Sequence, residues 1–158
     1  MSLLMVLGLL VYVGPAQAAL RIGDILPSFT FSGINGTTVK VPDNFRGKVI
    51  VFHFWTIGCS SCLEEMPAMD GLYDAYHKKG LEILAVNVGQ RKETVKPYAA
   101  GLKVFYPILI DPDLKGARTY SITDVPRTYL IDRNGVVRYR ILGSAQPGVL
   151  KKLILSLL

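Results

Sequence analysis

Two stretches of the chain are apolar almost without interruption. Residues 49–54 (VIVFHF) and 81–88 (LEILAVNV) have the pattern of central strands covered on both faces. Between them, residues 59–79 carry Leu63, Met66, Met69, Leu72, Tyr73 and Tyr76 at spacings of three and four, which predicts an amphipathic helix. Pro67 falls inside that pattern and is expected to kink it, and Gly80 is placed to stop it. Upstream, residues 28–30 and 38–41 flank the turn-rich SGING of residues 32–36, a hairpin signal, and NFRGK (44–48) reads as a polar connector. Downstream the pattern predicts a helix over 93–100 that accommodates Pro97, a short strand over 106–110 (YPILI) and a short helix over 114–120. A hairpin follows, pairing 128–131 (TYLI) with 136–141 (VVRYRI) around Asn134-Gly135. A last helix starts near Pro147, with Leu150, Leu153, Ile154 and Leu157 on one face. Strands and helices alternate, so the expected class is α/β with parallel central strands. No repeat, low-complexity segment or linker divides the chain, which predicts one domain.

The N-terminus follows a different rule. Residues 3–13 (LLMVLGLLVYV) are apolar and lead into Gly14-Pro15 and then Ala16-Gln17-Ala18. An apolar core, a breaker and a small-x-small site predict an export signal cleaved after Ala18. The apolar run is shorter than the roughly 20 residues of a membrane span. No Lys or Arg precedes it, and a buried helix or an uncleaved anchor are the other readings. The domain proper is therefore residues 19–158, in a compartment where disulfides persist.

Composition and charge narrow the function classes. Half the 158 residues are apolar and 19% are charged, which argues against a disordered chain. The net charge of +6 invites a nucleic-acid reading, yet the basic residues are scattered and the densest group is RYR at 138–140. Nucleic acid is not an expected partner.

The candidate chemistry lies in the only two cysteines, Cys59 and Cys62, at the junction of a predicted strand and helix. Their spacing fits a redox dithiol or half of a metal site. At the first turn of a helix, unpaired N–H groups and the dipole stabilise a thiolate at Cys59. Cys62, one turn on, can reach Cys59 from a less exposed position. That predicts a stepwise exchange: Cys59 attacks a substrate disulfide, and Cys62 then attacks Cys59 sulfur and releases the reduced substrate.

FWTIGCSSCLEEMP (54–67), DVPRTYLID (124–132) and NGVV (134–137) together resemble the thioredoxin superfamily. More narrowly, they are similar to the secreted or membrane-tethered thiol–disulfide oxidoreductases of the TlpA/ResA type, which include cytochrome c maturation thioredoxins. The similarity runs from about Ile22 to the C-terminus. It implies a thioredoxin fold, a central mixed sheet flanked by helices with an additional N-terminal β-hairpin. It also implies Cys59 as nucleophile, Cys62 as resolving thiol, and Pro126 as a cis-proline facing them. Val125 would then offer its backbone to a substrate strand, and Glu65 would be an acid near the dithiol that exchanges a proton with Cys62. Trp55 would be core or the floor of the site, within reach of substrate. By the same resemblance the enzyme needs no cofactor beyond its redox-active disulfide. It would act as a periplasmic or otherwise extracytoplasmic monomer on disulfides of exported proteins, possible substrates being apocytochromes c, with electrons from a membrane thiol reductase of the DsbD/CcdA type.

Three positions depart from the family. Gly58 stands where tryptophan is usual, Ser60-Ser61 replaces a pair containing proline, and His53 stands where cytosolic thioredoxins bury an aspartate. His53 reads either as a proton-exchange partner of Cys62 or as a neutral core histidine. His77, Glu64, Tyr73 and Tyr76 read as solvated or packing residues. Two rival functions remain. In a peroxiredoxin-like thiol peroxidase Thr56 fits the signature, but Phe52 stands where proline is required. In a zinc carrier Cys59, Cys62 and His77 would be ligands, but a second histidine three to five residues later is missing, and a copper carrier lacks a third ligand unless His53 turns inwards.

Overall fold

The structure, a computed structural model, describes residues 19–158. The expected signal or anchor, residues 1–18, lies outside the described residues. Seven strands form one mixed sheet in the order β2-β1-β5-β4-β3-β6-β7. They are β1 (Phe29–Gly33), β2 (Thr38–Val41), β3 (Val49–Trp55), β4 (Leu81–Val88), β5 (Ile108–Asp111), β6 (Arg127–Ile131) and β7 (Val137–Leu142). The helices are α1 (Ser60–Tyr76), α2 (Lys92–Leu102), α3 (Lys115–Thr119) and α4 (Pro147–Leu155). Strands β3, β4 and β5 run parallel, while β6, β7 and the β1–β2 hairpin join antiparallel.

All seven residues of β3 are buried, because β4 and β6 flank it and both its faces are covered. Its side chains alternate between two apolar cores. Val49, Val51 and Trp55 join Cys62, Met66 and Met69 of α1 and Leu150 and Ile154 of α4. Ile50, Phe52 and Phe54 point to the other face, against Phe31, Tyr120 and Tyr129. This two-faced burial is why the strand is a continuous apolar run rather than an alternating one.

Several expected boundaries shift for local reasons. The connector at 44–48 begins with a single 3-10 turn over Asp43–Phe45. Helix α1 continues past Pro67 as one helix and ends at Tyr76, where a 3-10 turn (His77–Lys79) leads to Gly80 in the left-handed region at φ +100°. Strand β5 starts at Ile108 rather than Tyr106, since Pro107 has no N–H to donate, although its carbonyl accepts from Ala85 N–H at 3.0 Å. Among the described residues, no helix is long and apolar enough to cross a membrane.

The C-terminal ends of β3, β4 and β5 and the start of β6 meet at one edge of the sheet. The connectors there carry Cys59, Gln90 and Pro126, beside Asp111 at the end of β5. Loops at the carboxyl ends of parallel strands are where an open α/β sheet places its chemistry.

Candidate active site

Strand β3 leaves the sheet at Trp55 and reaches α1 through residues 56–58. Gly58 turns the chain with φ +94°, a conformation that explains glycine here even though nothing lies within 4 Å of where a Cβ would sit. Cys59 is the N-cap of α1 and its Sγ accepts from Cys62 N–H at 3.2 Å. Ser61 Oγ lies 3.6 Å from the same sulfur. Cys59 and Cys62 form a disulfide with Cα atoms 5.3 Å apart. The two sulfurs differ in access. Cys59 is half-buried, whereas Cys62 is fully buried in the core against Trp55 and Met66. Donors that sit on Cys59 sulfur favour its thiolate over the thiol.

Across from α1, the Val125–Pro126 bond is cis, as the resemblance implies. The ladder between β3 and β6 ends at Phe54↔Arg127, so buried Pro126 comes next to the end of β3. Its carbonyl accepts from Gly143 N–H at 3.0 Å. Val125 is half-buried and packs against the core that contains Cys62, and its own backbone makes no hydrogen bond in the described structure.

Three expected residues take positions that refine their roles. Trp55 is fully buried and packs on Tyr98 (ring centroids 6.4 Å apart), so it offers no surface to a substrate in this form. His53 is fully buried on the Cys62 face of β3. Its Nδ1 is paired with Thr128 Oγ1 at 2.9 Å, its Nε2 has no partner, and burial lowers its pKa from 6.5 to about 4. Glu65 turns its carboxylate to the lead-in of α4, where it accepts from Ala145 N–H and from Ser144. Burial raises its pKa despite those donors.

The metal-carrier arrangement is not assembled. Cys62 and His77 stand at opposite ends of α1, roughly 22 Å apart at 1.5 Å per residue. His77 instead packs on Tyr73 and pairs with Leu81 O at 3.2 Å. Thr56 Oγ1, the residue that fits the peroxidase signature, donates to Gln90 Oε1 at 2.9 Å.

Two groups at the site have no role assigned from the sequence, although one of them, Asp124 with Arg127, falls within DVPRTYLID. Gln90, in the β4–α2 loop, accepts on one oxygen from Thr56 Oγ1, Ile57 N–H and Asn87 Nδ2, each at 2.9 Å. Asp124 accepts from buried Arg127, an ion pair that spans the Val125–Pro126 bond. Gln90 and Asp124 lie on loops with no periodic spacing, whereas their partners Asn87 and Arg127 belong to β4 and β6.

Residues 22–140 match the model of the AhpC/TSA family. The chain belongs to that family. Its relatives include the thiol-disulfide oxidoreductase ResA of Geobacillus thermodenitrificans, 38% identical over 144 residues that cover 90% of this chain and 82% of the relative. ResA of Bacillus subtilis is 31% identical over 137 residues, covering 85% and 76%. Among solved structures, a candidate thiol:disulfide interchange protein DsbE from Chlorobium tepidum superposes with a TM-score of 0.81 at 29% identity, covering 87% of this chain and 98% of that one. The thioredoxin domain of a Bacteroides vulgatus thiol-disulfide oxidoreductase gives 0.75 at 26%, covering 86% and 99%. The fold is thus a thioredoxin fold, and the chain is a ResA-like thiol–disulfide oxidoreductase.

Proposed function

We propose that this oxidoreductase works outside the cytoplasm as a reductase of disulfides in exported proteins, apocytochromes c among them. The observation that carries the reading is the unequal burial of a bonded cysteine pair at a helix start: Cys59 half-buried at the cap, Cys62 sealed behind it. Only Cys59 can be reached by a large substrate. Its thiolate attacks the substrate disulfide, one substrate sulfur leaves, and a mixed disulfide forms. Cys62 then attacks Cys59 Sγ, the second substrate sulfur leaves as a thiolate and takes up a proton, and the Cys59–Cys62 bond is restored. The two electrons lost by the dithiol are those gained by the substrate. Glu65, on the helix face one turn beyond Cys62 and with its pKa raised by burial, takes the proton that Cys62 gives up. The unpaired backbone of Val125 beside Pro126 receives the substrate as an extended strand. His53 stays neutral and serves packing. A membrane thiol reductase of the DsbD/CcdA type returns the electrons, and the 1–18 segment directs or tethers the enzyme to that side.

The test is equilibration of the Cys59/Cys62 couple with glutathione buffers, together with trapping. A potential near the thioredoxin value of about −270 mV supports a reductase, and one near the DsbA value of about −120 mV overturns the direction. A Cys62→Ser enzyme expressed with its signal should accumulate an apocytochrome c disulfide-linked to Cys59. Capture of the same proteins by Cys59→Ser would remove Cys59 from the nucleophile's role.

A further inference from the structure

We propose that Gln90 is a positioning residue for the resolving step, holding the connector that carries Cys59 so that Cys62 can close the disulfide while Cys59 is still bound to substrate. The inference rests on the roles assigned above to the two cysteines. Residues 56–58 are all that link β3 to Cys59, and Gly58, left-handed with open space around it, supplies the most permissive backbone in that link. Within the connector itself the tie is one long hydrogen bond, Cys59 N–H to Thr56 O at 3.3 Å. Ile57 packs its side chain against the core, and the side-chain hydrogen bonds that tie the connector to the rest of the fold converge on a single atom. Gln90 Oε1 takes Thr56 Oγ1 and Ile57 N–H, and it is itself fixed by Nδ2 of Asn87, a fully buried residue of β4 paired with Trp55. The loop bearing Gln90 is anchored in turn by Gly89 N–H to Asp111 O at 3.0 Å. The latch therefore runs from the sheet to the cysteine lead-in.

The chemistry makes this holding matter at one step. In the reduced enzyme the Cys59–Cys62 bond is already open, so no covalent ring fixes the connector, and once Cys59 has attacked its sulfur is joined to substrate instead. Cys62 is buried in α1 and has no room to follow. Ring closure then requires Cys59 Sγ to stay within reach, with the substrate sulfur opposite the incoming thiolate. A bound protein pulls on the connector, and its two bonds to Gln90, backed by the bond from Asn87, resist that pull. Losing them changes the effective concentration of the two sulfurs about tenfold. Attack by Cys59 on a free disulfide, by contrast, needs no approach to Cys62.

Reaction of the reduced enzyme with 5,5′-dithiobis(2-nitrobenzoate) separates the two steps, because Cys59 releases the first thionitrobenzoate and ring closure by Cys62 releases the second. Gln90→Met keeps the side-chain length and removes the amide oxygen. It should leave the first release within about twofold and slow the second about tenfold. The same loss in the closure constant makes the potential about 30 mV less negative. Gln90→Glu retains an acceptor oxygen and should restore the second release. A wild-type second release in Gln90→Met, or a Gln90→Glu enzyme as slow as Gln90→Met, overturns the inference. Should Gln90→Met fail to fold, Thr56→Val removes one of the three donors and should slow the second release by about threefold; no slowing there overturns the inference as well. The cysteine roles are checked separately in the otherwise unaltered enzyme: Cys62→Ser must abolish the second release and Cys59→Ser the first.

Discussion

His53 and Glu65 are both largely shut away from water, and burial moves their proton affinities in ways that give stability opposite slopes with pH. For His53 the cationic form is the one penalised, so its pKa falls from 6.5 to about 4. Between those values the unfolded chain binds a proton that the folded chain refuses. The contribution of His53 is complete above about pH 6.5 and is lost as pH falls towards 4. For Glu65 the carboxylate is penalised and the pKa rises from 4.5. Its folded form keeps a proton that the unfolded chain has released, so stability declines as pH climbs from 4.5 through the raised value. Calorimetric midpoints across this range test both. His53→Leu should flatten the slope between pH 6.5 and 4, while losing about 1–3 kcal/mol overall because Thr128 is left without its partner. A slope retained in His53→Leu would mean the histidine is not the titrating group. Glu65→Gln keeps an oxygen to accept from Ala145 N–H and removes the charge. Its midpoint at neutral pH should equal or exceed that of the parent enzyme, and a lower one would show that the carboxylate charge itself stabilises the α4 lead-in.

At the scale of elements, α3 and the N-terminal hairpin are fitted to one another by a glycine. A Cβ on Gly116 would lie 2.4 Å and 2.6 Å from ring atoms of Phe31, and 3.3 Å from Asp111 Oδ2. Phe31 cannot retreat: it is 2% exposed and packed among Phe29, Phe52 and Tyr120. Asp111 accepts from the N–H groups of Gly116 and Ala117 and fixes the other side. Gly116→Ala should therefore cost about 1–3 kcal/mol, read as a lowered midpoint of thermal unfolding with the exchange rates unchanged. An unaltered midpoint would mean that the hairpin yields freely. The same contrast explains what could be read beforehand. Strands β3 and β4 and helix α1 announce themselves because burial on two faces, or on one, leaves a periodic trace in consecutive residues. The cysteine pair and Pro126 were legible because their motifs are local. Gly116 and Gln90 act on residues 85 and 34 positions away, Phe31 and Thr56, through contacts that only the folded sheet creates.

For the molecule as a whole, the direction of electron flow and the stability of the fold are one quantity measured in two ways. Cys62 lies in the same core as β3, α1 and α4, so closing or opening the Cys59–Cys62 bond acts on packing that the entire domain shares. Unfolding releases both forms into a flexible chain, where the pair behaves as an ordinary C-x-x-C dithiol. Around that cycle, the difference in unfolding free energy between the oxidised and reduced enzyme equals the difference in potential between the unfolded and folded pair. About 30 mV corresponds to about 1.4 kcal/mol for this two-electron couple. A reductase has a folded potential more negative than the flexible pair, which means that its fold favours the disulfide. The oxidised enzyme should accordingly unfold at a higher temperature than the reduced enzyme, and a gap of about 60 mV would separate them by about 2.8 kcal/mol, or several degrees for a domain of this size. Scanning calorimetry of the two forms, with reduction confirmed by thiol titration, reads the sign directly. If the reduced enzyme proves the more stable, the thiolate at the α1 cap outweighs the packing of the disulfide, and the enzyme would donate its disulfide to exported proteins rather than remove theirs.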